Sequence, residues 1–260
     1  MMELSGGVAQ ASHVLEIPEL GLIGFGAFGR LMARHLQPYF RLLAHDSAEA
    51  PAPAEGVTFT DLARAAACPV VVLAVPVDQL PAVIAALRPH LRPGTVVVDV
   101  GSVKVRPTEA MLAGLPPDVE IVGTHPLFGP QSARQGIAGL KLALCPIRGR
   151  SAFRIGAFLR RVLRLRVVLT TPEAHDREMA VAQGLTHLIA AVLVRMEPLP
   201  TRMTTRSFGL LMQAVGMVRH DPPGVFDAIE RANPYAAEVR ARFLDLTAEM
   251  GRALAHPAEG

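Results

Sequence analysis

From Leu20 to Thr171 the chain alternates short β-branched or aliphatic runs with longer Ala/Leu/Arg segments. The runs at 20–25, 40–45, 57–59, 70–75, 96–100, 120–124, 140–145 and 165–169 read as strands, and the stretches 28–36, 61–67, 79–87 and 153–163 between them as helices. That alternation predicts a parallel sheet covered by helices. After Thr171 strand-like runs stop, and helical patterns take over at 173–197, 208–220, 223–231 and 235–250. Thr170-Thr171-Pro172-Glu173 offers a capping box from Thr170 to Glu173 with a proline in the first helical turn. A sheet domain over 18–171 followed by an all-helical domain over 172–260 is therefore expected, with a loose leader at 1–17 and a frayed tail at 256–260.

Composition narrows the class of partner. Half of the 260 residues are hydrophobic, no apolar run approaches the ~18–20 residues of a membrane span, and the start lacks the basic-then-apolar order of a secretory signal. Cys68 and Cys145 each sit in a hydrophobic run, which argues for a reducing compartment, the cytoplasm, and against a disulfide framework. A net charge of +3, scarce aromatics and no Trp are far from a nucleic-acid-binding signature and suit a small anionic ligand. Of the 26 basic residues only Lys104 and Lys141 are lysines.

The first strand runs into Gly24-Phe25-Gly26-Ala27-Phe28-Gly29, a G-x-G-x-x-G where a helix should begin. A tight turn, a backbone that pyrophosphate can approach, and close packing of helix on strand all meet there, with the phosphates on the helix N-terminus. Asp46 follows Gly26 by 20 residues, where an acid accepts hydrogen bonds from the adenosine ribose. An acid repels a 2′-phosphate, so NAD is favoured over NADP, with His45 and Ser47 able to soften that preference. Without a ligand, the same residues would make only a tight turn and a solvated loop acid.

In such a sheet ligands bind beyond the carboxyl ends of the strands. Val75 and Pro76 end the fourth strand; Asp99 to Lys104 end the next; His125 leaves the one after, followed by Pro126, Gly129 and Pro130, which should fix a loop. A neutral imidazole at His125 could take a proton from a substrate hydroxyl, and Ser102 could bond the same hydroxyl or orient the ring. The plainer alternative is a histidine that caps its own loop. Lys104 could serve a ligand carboxylate, buttress the loop, or be an ordinary surface base. In the first long helix of the second domain, Asp176, Gln183 and His187 fall within about 40° of one another at ~100° per residue, a polar stripe on an apolar helix that needs partners. His175 lies off that stripe and is expected to face the cleft between the domains. No His-x3-His pair or nearby cysteine suggests a metal.

Gly24 to Gly29, the sequence DVGSVK from Asp99 to Lys104, GTHPLFGP from Gly123 to Pro130, and HDREMAVAQGLTH from His175 to His187, in this order, resemble the prephenate/arogenate dehydrogenases of tyrosine biosynthesis. The resemblance implies an α/β, Rossmann-type, mostly parallel sheet domain that binds NAD(P), and an all-helical domain that forms a homodimer. It implies oxidative decarboxylation of a small dicarboxylate, with His125 on the ring hydroxyl and Ser102 supporting it. It also implies a helical-domain arginine on a substrate carboxylate, for which Arg206, Arg202, Arg177 and Arg231 are candidates; Lys104, His175, Gln183 and His187 are expected as further substrate contacts. These residues leave no room for a fused mutase or an amino-acid-binding domain, so feedback by tyrosine would act at the active site. Two other readings stand beside this one: another NAD(P)-dependent dehydrogenase or imine reductase with a helical dimer domain, and a non-catalytic dinucleotide sensor.

Overall fold

The computed structural model describes residues 17–47 and 54–255; the expected leader, apart from Ile17, and the expected tail lie outside the described residues. The sheet part runs β1 (Glu19–Ile23), α1 (Ala27–Leu36), β2 (Arg41–His45), β3 (Val57–Phe59), α2 (Leu62–Ala66), β4 (Val70–Leu73), α3 (Leu80–Leu87), β5 (Val96–Asp99), α4 (Val105–Gly114), β6 (Glu120–Pro126), β7 (Lys141–Arg148), α5 (Ser151–Arg161) and β8 (Arg166–Leu169). The eight strands form one sheet in the order β3-β2-β1-β4-β5-β6-β7-β8. The first six repeat the doubly wound order whose reversal between β1 and β4 opens a crevice at the strands' carboxyl ends.

The sheet is parallel except where β7 runs antiparallel to β6. That pairing corrects the expected loop at His125. His125 stands opposite Ala143 and Pro126 opposite Leu142, so both residues stay inside β6. Helix α4 has no counterpart among the expected elements, because Pro107 in its first turn and Gly114 at its last position disguise the pattern.

Both faces of the sheet are buried. Leu20, Leu22, Leu42 and Val98 pack with α1 and α5 on one side; Ile23, Leu43, Leu73 and Val97 pack with α2, α3 and α4 on the other. Burying each such side chain contributes roughly 1.5–3 kcal/mol. With both faces covered, the strands read as unbroken apolar runs.

The helical part begins with α6 (Pro172–Met179), which passes through a π-helical turn at Ala180–Gly184 into α7 (Leu185–Arg195). Then come α8 (Arg206–Val218), α9 (Pro223–Asp227) with a second π turn at Ala228–Ala232, and α10 (Ala236–Ala255). The cap of α6 is Thr171, whose Oγ1 accepts the Ala174 N–H at 3.2 Å, one residue later than the capping box predicts. Pro172 fills the first helical position, so the cap must precede it directly.

The 24-residue helix Pro172–Arg195 is long and apolar enough, by length and composition, to cross a membrane, which a search for unbroken apolar runs misses. Its His175, Asp176 and His187 are buried and each is hydrogen-bonded to a residue outside the helix.

Candidate active site

The glycine turn is built by backbone packing. Gly24 has φ +94°, where an L side chain is strained, and a Cβ there would lie 2.4 Å from the Ala74 carbonyl oxygen. A Cβ on Gly29 would lie 2.4 Å from the Gly24 oxygen, so only glycine lets α1 sit this close to the turn. At Gly26 the space around a Cβ is open. Gly26 is also the N-cap of α1 and supplies no side-chain cap, which leaves the first N–H groups of the helix directed at an open cradle. These residues fit a dinucleotide pyrophosphate.

Asp46, at the end of β2, accepts the Phe25 N–H through Oδ2 at 2.5 Å, which fixes the carboxylate beside the turn. The Phe25 side chain is buried and packs edge-on against Phe59 at 4.9 Å, so a ligand would meet only its backbone. Ala27 is exposed at the first position of α1 and Phe28 packs on the core. Beyond β4, Val75 is half-buried and Pro76 exposed at the same rim.

One strand across, Lys104 is completely buried, with Nζ on Asp99 Oδ2, which also accepts the Gly101 N–H at 2.9 Å. Lys104 is thus neither a surface base nor a free ligand cation; it neutralises Asp99 beneath the loop that carries Ser102. Burial pushes the Asp99 carboxyl up, against the pull of Lys104.

His125 projects from β6 at 5% exposure, and its Nδ1 lies 2.8 Å from His175 Nε2; His175 Nδ1 in turn lies 2.7 Å from Asp176 Oδ1. Asp176 accepts the backbone N–H groups of Lys104 at 2.7 Å and Val105 at 2.9 Å, and so caps α4 from the helical part. Asn233 anchors this corner by donating to the Asp176 carbonyl at 2.8 Å. Burial first, then the closeness of the His175 ring and of the Lys104 ammonium, hold the His125 imidazole well below its usual range, which keeps it neutral at physiological pH. The neighbouring Cys145 thiol is pushed up to about 12 by burial and is inert as a nucleophile.

The remaining expected residues divide. His175 does face the sheet part, but together with Asp176. Ser102 is half-buried and makes no hydrogen bond to His125 among the described residues; the Nδ1 it was expected to orient is taken by His175. The stripe of Asp176, Gln183 and His187 is broken by the π turn between its members, whose wider pitch rotates everything after Ala180. The Gln183 Oε1 is buried with no hydrogen-bond partner among the described residues. His187 is instead engaged by the Gln183 carbonyl at 3.0 Å and by Asp221 at 3.3 Å. Arg206 opens α8, exposed and joined to none of the His125 cluster, and Arg202 is likewise exposed. Arg177 stacks on Tyr235 at 4.2 Å. Arg231 pairs with Asp227 at 2.9 Å and, with Arg106, Val77 and Asp78, lines a cavity of about 580 Å³ between the rim and α9. Among the described residues no group of three His, Cys, Asp or Glu is placed to hold a metal.

Asp176, expected to need substrate, water or the other domain as a partner, finds it in the sheet part. Its signal was an acid beside a histidine in the first turns of a helix, and its partners lie 72 positions away at Lys104 and 71 at Val105.

The family model for the nucleotide-binding domain of prephenate dehydrogenase matches residues 44–166. A Methanocaldococcus jannaschii protein named "Probable arogenate/prephenate dehydrogenase" is 26% identical over 208 residues, covering 75% of this chain and 46% of that protein. Chloroplastic arogenate dehydrogenase 1 of Arabidopsis thaliana is 28% identical over 254 residues, covering 93% of this chain and 39% of that protein. The chain thus spans less than half the length of these curated relatives. Among solved structures, prephenate dehydrogenase from A. aeolicus in complex with hydroxyphenyl propionate and NAD+ superposes with a TM-score of 0.67 at 20% identity, over 93% of each chain.

Proposed function

We propose that this chain belongs to the prephenate dehydrogenase family, whose nucleotide-binding-domain model matches residues 44–166, and that it catalyses the NAD-dependent oxidative decarboxylation of prephenate or arogenate, giving 4-hydroxyphenylpyruvate or tyrosine and CO2. The observation that carries this reading is a buried, neutral histidine, His125, at the carboxyl-end rim of the sheet that also holds the glycine turn. When bound, NAD supplies the hydride acceptor. Gly24, Gly26 and Gly29 would seat its pyrophosphate on α1, and Asp46 its ribose. His125 would accept the proton of the ring hydroxyl as hydride leaves the carbon bearing it, and return that proton to the oxygen when loss of CO2 makes the ring aromatic. Aromatisation drives the reaction, so the protein mainly has to orient, polarise one hydroxyl and hold the carboxylates. Arg231 and Arg106, in the cavity at the rim, are the substrate contacts this geometry favours.

The assembly is proposed to be a homodimer through the helical part. Leu210, Leu211 and Met217 on α8 and Leu244, Leu246, Met250 and Leu254 on α10 are large apolar side chains left exposed, which supports this reading. The activity is tested by absorbance at 340 nm with prephenate and then arogenate, each with NAD or NADP. Turnover with NAD and one of the two substrates is expected. Dinucleotide binding without turnover in any combination would leave a sensor, not an enzyme. Sedimentation should give twice the 27.7 kDa chain mass.

A further inference from the structure

We infer that His175 and Asp176 fix the tautomer of His125, leaving its Nε2 as the free base, so that the helical part of the chain orients the imidazole of the sheet part. The inference deepens the function proposed above and rests on it only for its kinetic readout.

A chain of buried hydrogen bonds places each proton in turn. Asp176 is fully buried and already accepts two backbone N–H groups, one on each carboxylate oxygen, at the N-terminus of α4. Those donors and the helix dipole favour the ionised carboxylate, which can only accept. The 2.7 Å contact with His175 Nδ1 is therefore donated by the ring, and the proton of His175 sits on Nδ1. With one proton per ring, His175 Nε2 carries a lone pair. The 2.8 Å bond to His125 is then donated by His125 Nδ1–H, and His125 Nε2 is left unprotonated. That nitrogen is the one a substrate hydroxyl can protonate. The two rings meet edge to face, 5.0 Å apart at 68°, a geometry that suits an in-plane donor of one ring aimed at a nitrogen of the other. The opposite orientation, with His175 donating from Nε2, would need a second proton on His175 and would place a proton on His125 Nε2, where it would block the base.

His175 and Asp176 act through His125 and are positioning residues. They differ from a merely structural pair in that a side chain able to accept one hydrogen bond should replace His175. Nitrogen-15 NMR of the imidazoles, with His125 identified as the signals lost in His125→Asn, reads the tautomer directly. In the wild-type chain at pH 7, His125 is expected to carry its proton on Nδ1. In His175→Leu that preference should be lost and kcat should fall roughly 10–100-fold, the scale for removing a partner that orients a functional histidine, with KM for NAD unchanged. In His175→Gln, whose amide oxygen can accept the same N–H, the Nδ1–H tautomer and most of kcat should return. A wild-type His125 protonated on Nε2, or a His175→Leu enzyme with unaltered tautomer and kcat, would overturn the inference. Should His175→Leu not fold, the wild-type spectrum and His175→Gln still decide it. A chain with no turnover on either substrate sinks the proposed function, while the spectrum alone still settles the tautomer.

Discussion

The glycine turn and the His125 cluster lie on one rim but are made in opposite ways. The turn consists of backbone in contact with backbone: Gly24 against Ala74, Gly29 against Gly24, and open space at Gly26. Its partners are near in sequence or on the adjacent strand, and its specificity lies in side chains that are missing. The His125 cluster consists of buried polar side chains from β5, β6 and α6 hydrogen-bonded to one another, with Asp176 binding the backbone of α4 and only Asp99 Oδ1 among them left without a partner among the described residues. The turn can hold an anion with little reorganisation. The cluster holds a neutral base in a dry place, where an unpaired group would be costly. Binding and chemistry should therefore fail separately.

Four perturbations test that separation, from the largest expected effect to the smallest. His125→Asn removes the base and should lower kcat by about 10²–10⁴-fold with NAD affinity nearly unchanged, as steady-state kinetics and a direct binding titration would show. A near-normal kcat would remove His125 from the reaction.

Lys104→Met leaves Asp99 buried without its cation and should cost roughly 3–5 kcal/mol in urea unfolding. Adding Asp99→Leu should recover much of that loss; additive losses would contradict a paired charge.

Gly29→Ala and Gly26→Ala should part ways. The first forces a Cβ to 2.4 Å from the Gly24 oxygen and should destabilise the free protein by on the order of 1–3 kcal/mol. The second has room for its Cβ, should leave the melting temperature nearly unchanged, and should weaken NAD binding about tenfold, or ~1.4 kcal/mol. Equal stabilities for the two variants would show that the turn is not packed as described.

The smallest effect concerns pH. His125 titrates below its ordinary 6.5 in the folded chain, so on acidification the unfolded chain binds this proton first. The stability this group contributes is full above about pH 6.5 and is lost as pH falls below it. Urea midpoints at pH 7.5 and 5.5 should therefore separate more for wild type than for His125→Asn.

Locality explains what the sequence disclosed. Gly29 and Asp46 meet partners within one β-α-β unit and Gly24 packs on the end of the adjacent β4, so a short spacing pattern could mark this turn. Lys104 stood out because the chain otherwise writes its bases as arginine, but only the fold shows that its partner is Asp99, five residues back. The contact between His125 and His175 spans 50 positions and that between Asp176 and Lys104 spans 72; no periodicity reports such distances. The helical stripe was misread for a different reason. An even 100° step per residue assumes one pitch, and the π turn at Ala180–Gly184 changes it midway. Antiparallel β7 likewise keeps His125 inside a strand that Pro126 and Pro130 had suggested was ending.

The cap that Asp176 places on α4 has a mechanical consequence. Parting the two halves of the molecule at this seam would strand a carboxylate and two backbone N–H groups together, and would break the 2.8 Å bond between His125 and His175 with them. Denaturant should then release sheet and helices in one step, because neither half keeps its polar groups satisfied alone.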